Sequence, residues 1–153
     1  MQDGNQLKYG QISGGEAAIQ YGILVAGMVV VAASGKFVYR TGASTDTVTL
    51  AVDGTTEILG FLECEAIASA VGTEKRKIIC DLSAVFRIPI NSGTFAHYMI
   101  GKKCDISVSS SIQGAQLDAA TEGTLIVVGG DAVNNAWVDV MINPVKVGAT
   151  GVA

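Results

Sequence analysis

Short runs of β-branched and aliphatic residues, cut at close intervals by glycine, recur along this chain and leave few solutions other than strands and tight turns. Residues 47–52 alternate strictly, with Val48, Leu50 and Val52 on one face and Thr47, Thr49 and Ala51 on the other, the signature of a half-buried strand. Asp53-Gly54 closes that run, and residues 104–108 repeat the alternation. Val, Ile and Thr are stiff at χ1 and fit a pleated surface, while glycine supplies the positive φ of tight turns. The expected fold is therefore all-β: a small β-barrel or β-sandwich with at most one short helix.

Hydrophobic residues make up 49% of the 153 and charged ones 16%, so the chain can bury a sizeable core and is not a disordered tail. The expected organisation is a loose N-terminal arm over residues 1–16, one β domain over 17–143 and a C-terminal arm over 144–153. No internal repeat is visible in the residues themselves.

Ser34-Gly35 predicts a hairpin between residues 28–33 and 36–40. Gly129-Gly130-Asp131 and Asn134-Asn135 predict another between 124–128 and 136–142, with the only tryptophan, Trp137, near its loop. Residues 75–81 and 84–90 read as strands, and Pro89, lacking an amide donor, predicts that the second ends at a sheet edge. Residues 109–122 are small and polar and read as a long loop with one short ladder near residues 116–118. Residues 94–100 are the best helix candidate, with Thr94 as cap and Phe95 meeting Met99 at i, i+4.

The apolar run over 17–33 is marginal in length for a spanning helix, is broken by Gly22 and Gly27 and has no flanking basic anchor but Lys36, and reads as two buried strands with a turn near residues 22–27. Asp3 and other polar residues ahead of it argue against a signal peptide. A net charge of −4 gives no electrostatic reason to bind nucleic acid. Lys75, Arg76 and Lys77 form the one basic run, read as a solvated loop or strand end. Cys64, Cys80 and Cys104 lack CxxC spacing, so they are expected to be reduced thiols, at least two of them in apolar strands, and not a zinc site.

Candidate chemistry is sparse. His97 is the only histidine, and no GxSxG surrounds a serine. Gly14-Gly15 is not followed by the GK[ST] of a phosphate loop. Gly129-Gly130 precedes a strand and not a helix, so it is not a dinucleotide fingerprint. Glu63 and Glu65 share a strand face without further ligands nearby. The expectation is no catalytic residue, no metal and no cofactor.

The segments GILVAGMVVVAASGKFVYRT (residues 22–41), EILGFLECEA (57–66), GKKCDISV (101–108) and LIVVGGDAVNNAWVDVMINP (125–144) together resemble small capsid decoration (cement) proteins of tailed bacteriophages. The resemblance covers residues 17–145 in patches. It implies a structural virion protein, made in the host cytoplasm and seated on the capsid exterior. Such a protein bridges neighbouring major capsid subunits, commonly as a trimer, and has neither cofactor nor active site. Trp137, Phe95, Lys75, Arg76 and Lys77 are the candidate interface residues, and at least one terminal arm is expected to help attachment. The competing expectations are another virion component, such as a head-fibre base, neck or tail protein, and a small ligand-binding barrel or enzyme.

Overall fold

The computed structural model describes residues 9–13, 19–41 and 46–147. They form an all-β molecule of eleven strands: β1 Gly10–Ser13, β2 Ile19–Leu24, β3 Phe37–Arg40, β4 Thr47–Leu50, β5 Gly60–Leu62, β6 Lys75–Ile79, β7 Val85–Ser92, β8 Lys103–Ser109, β9 Ile112–Gln116, β10 Leu125–Gly130 and β11 Trp137–Ile142.

Strands β2-β4-β3-β5-β6 close into a barrel, and the remaining strands form a sheet in the order β1-β7-β11-β10-β8-β9. That sheet also comes round on itself, because β9 pairs with the second half of β7 through Ile90↔Ala115. The two rings have the same connectivity. In each, the first strand runs parallel to the third (β2 with β4, β7 with β9), and every other neighbour is antiparallel.

The ladders correspond residue by residue. Leu24↔Val48 matches Ile90↔Ala115, Phe37↔Phe61 matches Lys103↔Ile126, and Leu62↔Ile78 matches Val127↔Val140. The chain is thus an internal duplication at the level of strand pairing, a repeat that the sequence conceals.

Each barrel is filled from its strands by alternation. Leu24, Val38, Val48, Leu62 and Ile78 fill the first. Their ladder counterparts Ile90, Cys104, Ala115, Val127 and Val140 lie in the second. Gly60 has a steric task here: a Cβ on it would lie 2.5 Å from the Ile79 carbonyl oxygen and 2.7 Å from Ile78, so β5 approaches β6 only because the side chain is missing.

The outer wall of the first barrel closes one end of the second. Phe37 and Phe61 point away from their own barrel and meet Phe86, with ring centroids 5.5 Å and 4.4 Å away respectively. Ala51, Ile58 and Ile79 join the same cluster as the second barrel's interior. Aromatic pairs of this kind contribute ~0.5–1.5 kcal/mol each beyond their buried area.

Several sequence expectations are corrected. Residues 28–33 do not pair with β3. Val30 bridges Ile67 instead. The chain does turn at Val31–Ser34, where the Ser34 N–H bonds to the Val31 carbonyl at 3.0 Å, but the Gly35 N–H then goes to the Gln113 carbonyl at 2.8 Å, so the turn leads into a tertiary contact and not into a hairpin. Residues 94–100 contain only a 3-10 turn, His97–Met99. So short a segment does not meet the cost of helix nucleation, and Phe95 is drawn down over Gly130 instead. Pro89 lies inside a central strand, not at an edge. It falls where β7 changes partner on one side, from β1 (up to Arg87) to β9 (from Ile90), so no acceptor is left waiting for its absent donor. The short ladder expected near 116–118 within the loop at 109–122 is strand β9, which lies earlier, at Ile112–Gln116.

Gly10–Ser13, within the expected N-terminal arm, is strand β1 on the flank of β7. In the expected C-terminal arm, Pro144–Lys146 is a 3-10 turn and Val147 bridges Ile58. Among the described residues no helix is long and apolar enough to cross a membrane.

Candidate functional site

The best-built constellation is the joint between the barrels, and Gln113 is its centre. This side chain is only 1% exposed. Its carbonyl accepts from the Phe37 N–H at 2.8 Å, and its NH2 donates to the carbonyls of Phe37 (2.9 Å) and Ala51 (2.8 Å). Its own backbone N–H donates to Ser34 Oγ at 2.8 Å. Gly35 is required beside it, since a Cβ there would meet Gln113 Oε1 at 2.9 Å. A buried amide bonded on both sides extends the strand ladder across the joint. The Val108 N–H, bonded to Asp53 at 2.6 Å, and the Ile58 N–H, bonded to the Lys146 carbonyl at 2.9 Å, add two further ties. Nothing in the Ser-rich sequence around Gln113 marks it, because polar residues there read as loop.

Other polar side chains hold loops. Asp105 accepts from the backbone N–H groups of Thr121, Glu122 and Gly123. Asn91 donates to the Ser107 and Ile112 carbonyls. Asn135 joins the Phe95 N–H to the Gly93 carbonyl. Asp131 accepts from Val133, Asn134 and Ala136. Those N–H groups, Asn134 first, hold its carboxyl below the usual range. This is turn chemistry in the Gly129-Gly130-Asp131 segment, as its sequence suggests.

The candidate interface residues do not converge. Phe95 is 3% exposed and belongs to the core of the second barrel. Trp137 is half-buried at the start of β11, with the Arg87 guanidinium 3.6 Å from its ring centroid. Arg87 in turn forks onto both oxygens of Asp139, at 2.8 Å and 3.0 Å. Lys75, Arg76 and Lys77 lie on β6 in the other barrel. Arg76 pairs with Glu74 at 3.0 Å and Lys77 with Glu63 at 3.1 Å, so opposite charges locally offset this basic run.

His97 is exposed on its 3-10 turn, against the Phe95 ring. Cys104 is buried in β8, and burial pushes its thiol up to about 12, which makes it a poor nucleophile. Cys64 and Cys80 are free and half-buried, and they follow strands instead of lying within them. Gly14-Gly15 lies outside the described residues. Among the described residues no three His, Cys, Asp or Glu side chains gather as a metal site.

Several shallow concavities lie among the described residues, one of about 150 Å3 beside Tyr98, Lys102 and Leu117. An open groove of about 350 Å3 is lined by Tyr39, Val52, Asp53 and the turn to Glu57. A smaller one of about 190 Å3 lies between β1 and the first barrel, lined by Tyr9, Gln11, Lys36, Phe61, Glu63 and Cys64. Lys36 is buried there, with its ammonium 3.3 Å from the Ser34 carbonyl. Desolvation lowers its pKa, opposed by Cys64 and Glu65.

No protein-family model matches this chain, and no curated protein matches it either.

Proposed function

We propose that this protein is a structural virion component that decorates the outside of a tailed-phage capsid, bridging neighbouring major capsid subunits as a homo-oligomer and acting without catalysis. The observation that carries this reading is the joint at Gln113. Two barrels are tied by buried, fully bonded polar groups and an aromatic cluster, which gives a stiff two-lobed body suited to bearing load between two attachment points. Linking two contacts in one rigid body raises the effective concentration of the second.

The test mixes purified protein with emptied, expanded heads and sediments them. Co-sedimentation at a fixed ratio to capsid subunits supports the reading, and protein left in the supernatant at saturating concentration refutes it. The buried Lys36 in its cavity favours a second reading, a small ligand-binding barrel. Thermal stabilisation by a small anion or carbonyl compound, lost in Lys36→Met, would support that reading over decoration.

A further inference from the structure

The apolar run that the fold only partly absorbs lies over residues 25–33. Met28 and Val30 are buried, and the segment pairs with 67–70: the Val30 N–H bonds to the Ile67 carbonyl at 2.8 Å, the Ile67 N–H to Val30 at 2.9 Å, and the Ala70 N–H to Met28 at 2.9 Å. The buried residues of this small ribbon, Met28, Val30, Ile67 and Ala70, pack in the core of the first barrel, and residues 28–30 use only one of their two edges in the pairing.

In such a pairing the residues flanking Val30 turn their backbone groups the other way. The Val29 N–H, the Val29 carbonyl and the Val31 N–H have no hydrogen-bond partner among the described residues, and the Val31 carbonyl accepts only from Ser34, at 3.0 Å. Val29 is 50% exposed and Val71 69%, and Ala32, Ala33, Ala66 and Ala68 are exposed around them. No charged residue occurs between Glu16 and Lys36 or between Glu65 and Glu74. Exposed strand edges are ordinarily blunted by lysine, proline or a bulge. The sequence Val29-Val30-Val31 carries no charge and no proline.

We infer that this edge is a self-association site, where Val29–Val31 of one copy pairs antiparallel with the same residues of a second copy about a two-fold axis at Val30. The second copy fits for two reasons found in the chain. An antiparallel pair centred on Val30 sets Val29 opposite Val31, so each free N–H meets a free or half-used carbonyl, twice over by symmetry. An uncharged surface also meets its own image without burying an unpaired charge, whereas the remaining surface of this acidic chain repels its like. A two-fold contact is isologous and closes at two copies, so it predicts a dimer in place of the trimer that the family resemblance implies. It does not depend on the decoration reading.

The experiment measures mass by light scattering across a concentration series, with hydrogen exchange at Val29 and Val31. The wild-type chain is expected to dimerise, with both amides protected as dimer forms. Val29→Lys, which places a charge in the joint at an exposed position, is expected to weaken the dimer at least about tenfold. Val29→Thr, still β-branched and uncharged, is expected to leave it intact. Unchanged circular dichroism and melting temperature establish that both variants fold.

A wild-type chain that stays monomeric, with fast exchange at both amides, overturns the inference and leaves the edge to a strand from another protein. An oligomer of any order whose mass is indifferent to Val29→Lys also overturns it.

Discussion

Replacing Gln113 with leucine keeps the side chain near its present volume and removes only the amide. Two buried backbone groups then lose their partners outright, the Phe37 N–H and the Ala51 carbonyl. The Phe37 carbonyl keeps the Ala51 N–H at 2.8 Å. Each orphaned buried group costs about 1–3 kcal/mol, so the variant should lose roughly 2–6 kcal/mol of a total that for domains of this kind is about 5–15 kcal/mol. Urea unfolding measures the loss as a lower midpoint at unchanged slope. A second variant isolates the geometry. Gly35→Ala presses a methyl onto the same amide, so its cost and that of Gln113→Leu should not add, because residues in direct contact couple. A loss below about 1 kcal/mol for Gln113→Leu, or strict additivity with Gly35→Ala, would refute the view that this amide bonds the barrels together.

Three further outcomes are expected. Gly60→Ala forces a methyl onto the Ile79 carbonyl and should cost about 1–3 kcal/mol or more, read from the urea midpoint. Cys104 should resist a thiol reagent in the native protein and react only at the rate of unfolding, with Cys64 and Cys80 modified first; mass spectrometry of the labelled peptides decides the order. Asp131 has a folded pKa below its unfolded value. Its contribution to stability is therefore complete above the ordinary carboxylate range and is lost as pH falls through the lower folded value. Asp131→Asn should accordingly flatten the acid limb of stability against pH, and an unchanged limb would show that the turn does not depend on that charge.

Strand alternation at 47–52 and 104–108 and the turn residues around Gly129 and Asn135 were enough to read the β class and the last hairpin, because those signals are local. The duplication was not readable. Barrel closure constrains which positions point inward and asks only that they be apolar, so Cys104 occupies the position of Val38 and Ala115 that of Val48 without breaking a ladder. The identities that survive, such as Gly27 with Gly93, Gly35 with Gly101 and Lys36 with Lys102, are too few to stand out. Gln113 escaped for the opposite reason, since a polar residue is a core residue only when distant backbone groups converge on it. The candidate interface residues followed size and charge alone, and Phe95, the one fully buried, was committed to its own barrel.

The duplication also bears on how the chain is made. A ribosome releases the strands of the first barrel in full before any strand of the second, so that barrel can close as soon as β6 has emerged. Its outer wall, however, carries Phe37, Phe61 and Ile79, which are covered only when the second barrel closes at β11. At the usual pace of synthesis, ~5–20 residues per second, this leaves a sticky half-molecule waiting for several seconds on every nascent chain. Chain lengths ending between the two barrels are therefore where chaperone capture and aggregation of this protein should concentrate.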